Sequence, residues 1–248
     1  MHSNLLAGKT IILTGSSVVT SVSNMIEQNG GEVKHFPLIK IVEKVSKADG
    51  EIIRNLHSYN WLIFTSQNAV RYFLEKCERH TFPITNLHAK IVAVGEKTAK
   101  RLKDAKLFVH FMPSTYSADV LVKEFQLGED EKCLFIRGSL AKSTITDALK
   151  TDEWTVYETK SNTNYISKLE QCIVTSKEPI VIFASPSAID VYAKEIVPML
   201  EWRYVKVASI GHITTAALAK YGVTPIVQPK TYTMQAVIEQ LLLEENNL

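Results

Sequence analysis

The sequence predicts an α/β fold of doubly wound parallel sheets with an internal duplication, and three observations carry that prediction. Short β-branched apolar runs alternate with longer amphipathic stretches along all 248 residues. The apolar runs lack the strict alternation of a half-exposed strand, which suits strands covered on both faces, as in parallel sheets. A set of strand-to-helix loop signatures then occurs twice, in the same order.

In chain order the strand candidates are Thr10–Thr14, Trp61–Thr65, Lys90–Val94, Cys133–Arg137, Trp154–Tyr157, Pro179–Ala184, Val205–Ile210 and Val223–Val227. Helical patterns lie between them. In one of these, Ala69, Val70, Phe73, Leu74 and Cys77 are spaced to form one apolar face. Strand and helix alternating in this way point to layered α/β sheets. No low-complexity tract or Gly/Ser linker interrupts the chain, so a domain boundary must be a short connection. The candidates are His35–Val42 and Tyr157–Asn164.

The repeat is explicit. Phe64-Thr-Ser-Gln-Asn-Ala-Val70 recurs as Phe183-Ala-Ser-Pro-Ser-Ala-Ile189, 119 residues on. Gly95-Glu-Lys-Thr98 with Leu102 recurs as Gly211-His-Ile-Thr214 with Leu218, and Pro113-Ser-Thr-Tyr116 as Pro229-Lys-Thr-Tyr232, both at 116. A weaker echo links Lys9–Gly15 to Lys132–Gly138 at 123. Four matches in order at a nearly constant offset outweigh any one of them.

Composition narrows the function classes. With 46% hydrophobic and 22% charged residues the chain reads as globular, and a net charge of +2 gives no whole-chain case for nucleic-acid binding. The first apolar run, Ile11–Leu13, is too short for a secretory core, and nothing approaches the roughly 18 apolar residues of a membrane span. Cys77, Cys133 and Cys172 are scattered and no CxxC or Cys/His cluster appears, so neither a disulfide framework nor a metal site is expected. The expected address is the cytoplasm.

Each repeated signature falls where a strand gives way to a helix. Ligands of open α/β sheets gather beyond the carboxyl ends of strands, where helix N-termini offer free N–H groups to carboxylate or phosphate. Ser66 and Ser185 are of the type that caps such helices, Gly95 and Gly211 allow close backbone approach, and Thr98 and Thr214 fall in the first turn. The plainer reading of each alone is a cap or a turn residue. Seven histidines are scattered, His212 among the repeated loops, and no GxSxG, HExxH or GxxxxGK[ST] motif appears. An enzyme built this way relies on positioning and backbone electrostatics.

Three resemblances follow. Lys9–Gly15 followed by Gly30-Gly-Glu-Val33 resembles the opening of BRCT modules, which bind phosphopeptides or DNA, but it leaves the duplication unexplained. The start is also similar to short-chain dehydrogenases, without the GxGxxG they require. Almost the whole chain, from Gly8 to about Leu242, resembles the uroporphyrinogen-III synthase family. The matching segments are Leu62–Val70, Ala93–Ala99, Pro113–Leu121, Leu134–Gly138, Val156-Tyr157, Ile182–Ser187 and Ile210–Leu218.

That resemblance implies two flavodoxin-like α/β domains joined by a two-stranded linker: 1–36 plus 162–248, and 41–159, with linkers at about 37–40 and 160–161. It implies cyclisation of hydroxymethylbilane to uroporphyrinogen III, with loss of water and inversion of ring D through a spiro intermediate, and it calls for no cofactor and no metal. The substrate, a linear tetrapyrrole polycarboxylate, suits anion-ready loops. By resemblance Thr65, Ser66, Asn68, Gly95, Thr98, Ser117, Arg137, Ser185, Ser187, Lys206, Gly211 and Thr214 bind it. Tyr157 matches the family tyrosine that assists the leaving hydroxyl; a phenol is protonated at neutral pH and can donate. The chain departs from the family at Thr14-Gly15, where many members carry Arg, and Arg137 holds the matching place in the second repeat. A monomer is implied, with the upstream hydroxymethylbilane-forming enzyme as candidate partner and with no nucleic acid or membrane. A non-catalytic tetrapyrrole-binding homologue is the alternative from a different class.

Overall fold

A computed structural model describes residues 4–18 and 20–246. Residues 1–3, 19 and 247–248, which the first expected domain includes, lie outside the described residues. The chain divides into two compact units, Met1–Lys40 with Lys160–Leu248, and Ile41–Thr159.

The first unit holds a sheet in the order β2 (Glu32–His35), β1 (Lys9–Leu13), β8 (Glu178–Phe183), β9 (Lys206–Ser209). All its pairings are parallel. The second sheet runs β3 (Ile39–Glu43), β7 (Asp152–Ser161), β6 (Cys133–Gly138), β4 (Trp61–Phe64), β5 (Lys90–Ala93), with β7 to β5 parallel. The chain passes from one unit to the other within β3 and within β7.

The apolar runs are covered on both faces, as their composition requires. In the second unit Leu62 and Phe64 enter one core with α3 (Gln67–Arg79) and α4 (Glu96–Asp104). Ile63 enters the other with α5 (Ala118–Glu124) and α6 (Thr144–Leu149). In the first unit Ile12, Val181 and Phe183 face α7 (Ile166–Thr175), α8 (Pro186–Glu195) and α9 (His212–Ala219). Ile11, Leu13, Ile180 and Ile182 face α1 (Thr20–Gln28) and α10 (Met234–Asn246). Parallel strands with helices on both faces are the doubly wound arrangement.

Two expectations need correction. Val223–Val227 does not form a strand: only Val227 pairs, in a single bridge to Ala208. Pro225 has no N–H to give a ladder, which explains the interruption. The same one-residue bridge joins Phe111 to Val92 in the second unit, 116 residues earlier. The BRCT-like reading also fails, because β1 pairs along its length with β8. The opening β-α-β segment therefore belongs to a sheet completed far along the chain. The strand β2 lacked a clear signal because it is short, lies at the sheet edge and buries none of its four residues fully.

A buried ion network fixes α3. Lys76, with no exposed surface, donates to Asp49, to the Lys44 carbonyl at 2.9 Å and to Glu43 at 3.0 Å. Trp154 Nε1 donates to the other Asp49 oxygen at 2.9 Å, and Arg79 grips Glu43 with two bonds of 2.7 and 2.8 Å. The Arg79 guanidinium, assisted by Lys76, holds the Glu43 carboxyl down to about 2 against the effect of burial. A lysine with no contact to water is tolerable only with such a full set of partners.

Candidate functional site

In a doubly wound sheet the crevice opens where neighbouring strands send their connections to opposite sides, beyond the carboxyl ends. In the second unit that point lies between β4 and β6; in the first it lies between β1 and β8. A groove of about 280 Å³ sits at the second-unit point, lined by Thr65, Val94, Tyr116, Ser117, Lys142 and Thr144 among others. Its first-unit counterpart is a pocket of about 40 Å³ lined by Gly15, Ser17, Ala184 and Met234 among others. A larger groove, about 630 Å³, opens at the amino-terminal edge of the first sheet, with Lys9, Lys34, Lys168 and Lys177. Lys9 is spent there on Glu178 and Glu245 at 3.0 and 3.1 Å, and Lys34 on Glu32. Size alone would select that groove, but topology and the repeated loops select the carboxyl ends.

Tyr157 stands at the carboxyl end of β6, beside the groove's strand. The β6–β7 register slips by one: Arg137 pairs with Thr155, yet Gly138 pairs with Tyr157. The extra residue, Val156, makes a bulge. In a regular strand of the same sequence Tyr157 would follow the alternation to the other face. With the bulge, Trp154, Val156 and Tyr157 all meet the α3 core. The phenol lies so close over Gly138 that a Cβ there would fall 2.3 Å from the Tyr157 ring. Tyr72 of α3 stacks alongside, with centroids 6.0 Å apart and planes at 25°, and donates its hydroxyl to the Ile41 carbonyl at 3.1 Å. The Tyr157 hydroxyl lies 3.0 Å from Ser66 Oγ.

Ser66 caps α3, its Oγ accepting from Ala69 N at 3.1 Å, and Ser185 does the same for α8 from Ala188 N at 3.4 Å. Ser117 caps α5 by accepting from Val120 N at 3.2 Å. These satisfy helix-end donors and leave the other first-turn N–H groups for a ligand. Asn68 and Ser187 lie in the first turns of α3 and α8, both half-buried.

The glycines of the second signature are each covered by a tyrosine. Tyr116 lies against Gly95 (φ 106°), and its hydroxyl donates to Glu96 at 2.8 Å, which raises that phenol above its ordinary range. Tyr232 covers Gly211 so closely that a Cβ would meet the ring at 2.6 Å, and its hydroxyl lies 2.8 Å from His212 Nδ1. Both tyrosines are about half exposed and stand 116 residues apart.

The other expected residues divide. Thr65 and Ser117 share the groove. Thr98 and Thr214 are 4% and 3% exposed, packed inside their units with little side-chain surface to offer. Arg137 is engaged within its own unit, bonded to Glu153 and the Ala141 carbonyl. Lys206 requires a correction. It begins β9, and the repeated Gly211 follows the other end of that strand, so Lys206 lies at the amino-terminal edge, paired with Glu178 at 3.5 Å. The resemblance alone had suggested it as a substrate contact, and its place at the start of a strand rules that out. Tyr72, Gly138 and Lys142 were missed as site residues. Gly138 was legible as a glycine ending a buried strand, whereas nothing local marked Tyr72 or Lys142. Among the described residues no group of His, Cys, Asp and Glu could hold a metal ion.

Comparison with known proteins places this arrangement. The family model for uroporphyrinogen-III synthase HemD matches residues 21–239. The porphyrin biosynthesis protein HemD of Ruminiclostridium josui is 26% identical over 98% of this chain, and the chain spans only 49% of that relative's length. The uroporphyrinogen-III synthase of Chlorobaculum parvum is 27% identical over 84% of this chain and 87% of its own. Among solved structures, the Helicobacter pylori uroporphyrinogen-III synthetase superposes with a TM-score of 0.69 at 20% identity, covering 95% of this chain and 99% of its own. A mutant Thermus thermophilus uroporphyrinogen III synthase gives 0.66 at 16% identity, with the same coverage. At those identities the two structures speak for the fold.

Proposed function

This chain belongs to the uroporphyrinogen-III synthase family, and from that premise we propose that it cyclises hydroxymethylbilane to uroporphyrinogen III. The observation that carries the reading is Tyr157, held by a bulge, a glycine and a stacked tyrosine at the carboxyl end of a parallel strand.

In this reading Tyr157 gives its proton to the terminal hydroxyl as the C–O bond breaks, so that water leaves. The exposed ring A carbon becomes electrophilic, and the substituted carbon of ring D attacks it. The spiro intermediate fragments at the bond between ring D and the bridging carbon of ring C, recloses there through the free carbon of ring D so that the ring is reversed, and the proton lost from that carbon restores the phenol. Because the substrate also closes unaided to the unrearranged isomer I, the protein must hold one folded conformation and speed the departure of the hydroxyl. Thr65, Ser117 and the exposed Lys142 supply donors for acetate and propionate groups in the second-unit groove. First-turn N–H groups of α3, beside Asn68, of α4, after Gly95, of α8, beside Ser187, and of α9, after Gly211, add further donors. The reading extends to a monomer in the cytoplasm that takes its unstable substrate from the hydroxymethylbilane-forming enzyme.

Supplying hydroxymethylbilane and resolving the products tests this: isomer III is expected, and isomer I alone would defeat it. Tyr157→Phe should lower kcat about 100-fold with little change in melting temperature. Equal turnover would remove the tyrosine from the mechanism.

A further inference from the structure

Three contacts fix the Tyr157 ring and leave its hydroxyl proton free to rotate. Gly138 lies beneath the ring, Tyr72 stacks beside it, and the β7 bulge sets its face. The polar side chain that meets the hydroxyl is Ser66, whose Oγ is 3.0 Å from the phenol oxygen. A general acid that points its proton at a neighbour inside the protein is wasted on that neighbour. The direction of this one hydrogen bond therefore matters for the chemistry proposed above.

We propose that Ser66 is a positioning residue that donates its hydroxyl proton to the Tyr157 oxygen, leaving the phenol proton for the ligand. The inference rests on the reading of Tyr157 as proton donor. Ser66 Oγ already accepts the Ala69 N–H at 3.1 Å as the cap of α3, which orients the serine. Its hydroxyl proton is then available to the phenol oxygen, which stands 3.0 Å away. The serine proton lying against the phenol oxygen also stabilises the negative charge that grows there as the phenol proton leaves. Ser66, expected from the resemblance to bind substrate directly, is thereby assigned to act through Tyr157.

The chemistry of the cap supplies a clean test. Glycine caps a helix nearly as well as serine and has no hydroxyl; threonine caps and has one. Both fit the extended backbone at this position, φ −150° and ψ 152°. Ser66→Gly should lower kcat about tenfold, with KM within about twofold and folding intact by thermal melting. Ser66→Thr should restore kcat to within about twofold of the wild type. On a Tyr157→Phe background, Ser66→Gly should cost nothing more, since the group it serves is gone.

An unchanged kcat in Ser66→Gly overturns the proposal. So does the same fractional loss on both backgrounds, which would mean that Ser66 acts on the ligand or the fold by itself. If the wild type makes only isomer I, the proposed function falls along with the inference. If the wild type makes isomer III and Tyr157→Phe is slow, but Ser66→Gly is not, the inference alone falls.

Discussion

Gly15 and Gly138 stand at the carboxyl ends of equivalent strands in the two units, 123 residues apart, and their surroundings differ in what stands over them. Over Gly138 lies the Tyr157 phenol, with no room for even a methyl group. A Cβ on Gly15 would meet only Ser17 O at 3.7 Å and Ala184 Cβ at 3.8 Å, ordinary contacts. The Gly15 carbonyl is met instead by His35 Nε2 at 2.7 Å. The two units thus share a scaffold and differ at the point where chemistry is assigned. A repeated fold supplies two sets of helix starts; the register shift of β7 against β6 sets one of them apart.

The comparison extends inward. The helix after the first signature is α3 in one unit and α8 in the other. At positions 119 apart, Phe73 packs on Phe64 and Tyr192 packs on Phe183, at 5.3 and 5.4 Å. Three residues further on, Lys76 has no exposed surface, while its counterpart Glu195 is a third exposed at its side chain. The second unit therefore invests a buried ion network where the first has surface. That network ties α3, which carries Ser66 and Tyr72, to β3 and β7.

The largest expected effect tests that difference. Lys76→Met should cost about 3–5 kcal/mol in denaturant unfolding, because Asp49 and Glu43 lose a buried partner. Glu195→Met should stay within about 0.5 kcal/mol. Similar losses at both positions would end the contrast between the helices. Next come the two glycines. Gly138→Ala should cost about 1–3 kcal/mol and depress isomer III formation, as the Tyr157 ring is pushed aside. Gly15→Ala should change stability by less than about 0.5 kcal/mol. Full activity in Gly138→Ala would show that the phenol need not lie where it does. The smallest effect belongs to Tyr192. Its hydroxyl is buried with no hydrogen-bond partner among the described residues, and burial pushes the phenol well above its ordinary range. Tyr192→Phe, which copies Phe73, should raise stability by up to about 1 kcal/mol. A loss of stability would mean that the hydroxyl is satisfied after all.

Much of the fold was legible locally. The β-branched runs that became β1, β4, β5, β6, β8 and β9 had to be buried on two faces, and Ser66, Ser117 and Ser185 sit where helix N-caps belong. These are consequences of backbone geometry and burial over a few residues, so a sequence can state them. The repeated Tyr116 and Tyr232 were visible in the same way, although what they cover was not. The edge strand β2 left little trace because one exposed strand needs no apolar pattern. Lys206 came from the resemblance alone, and its position at the start of a strand sets it at the end of the sheet away from the repeated loops.

The sequence by itself determined the α/β class, the alternation of strand and helix, and the repeat, and it showed the family by resemblance. The first three rest on periodicity and on spacing along the chain, which folding does not alter. Tertiary structure decided which side of the sheet Tyr157 faces, what lies beneath it and which hydroxyl it meets. One bulge residue reverses the face of every side chain after it, and the register that creates the bulge exists only when β7 lies against β6.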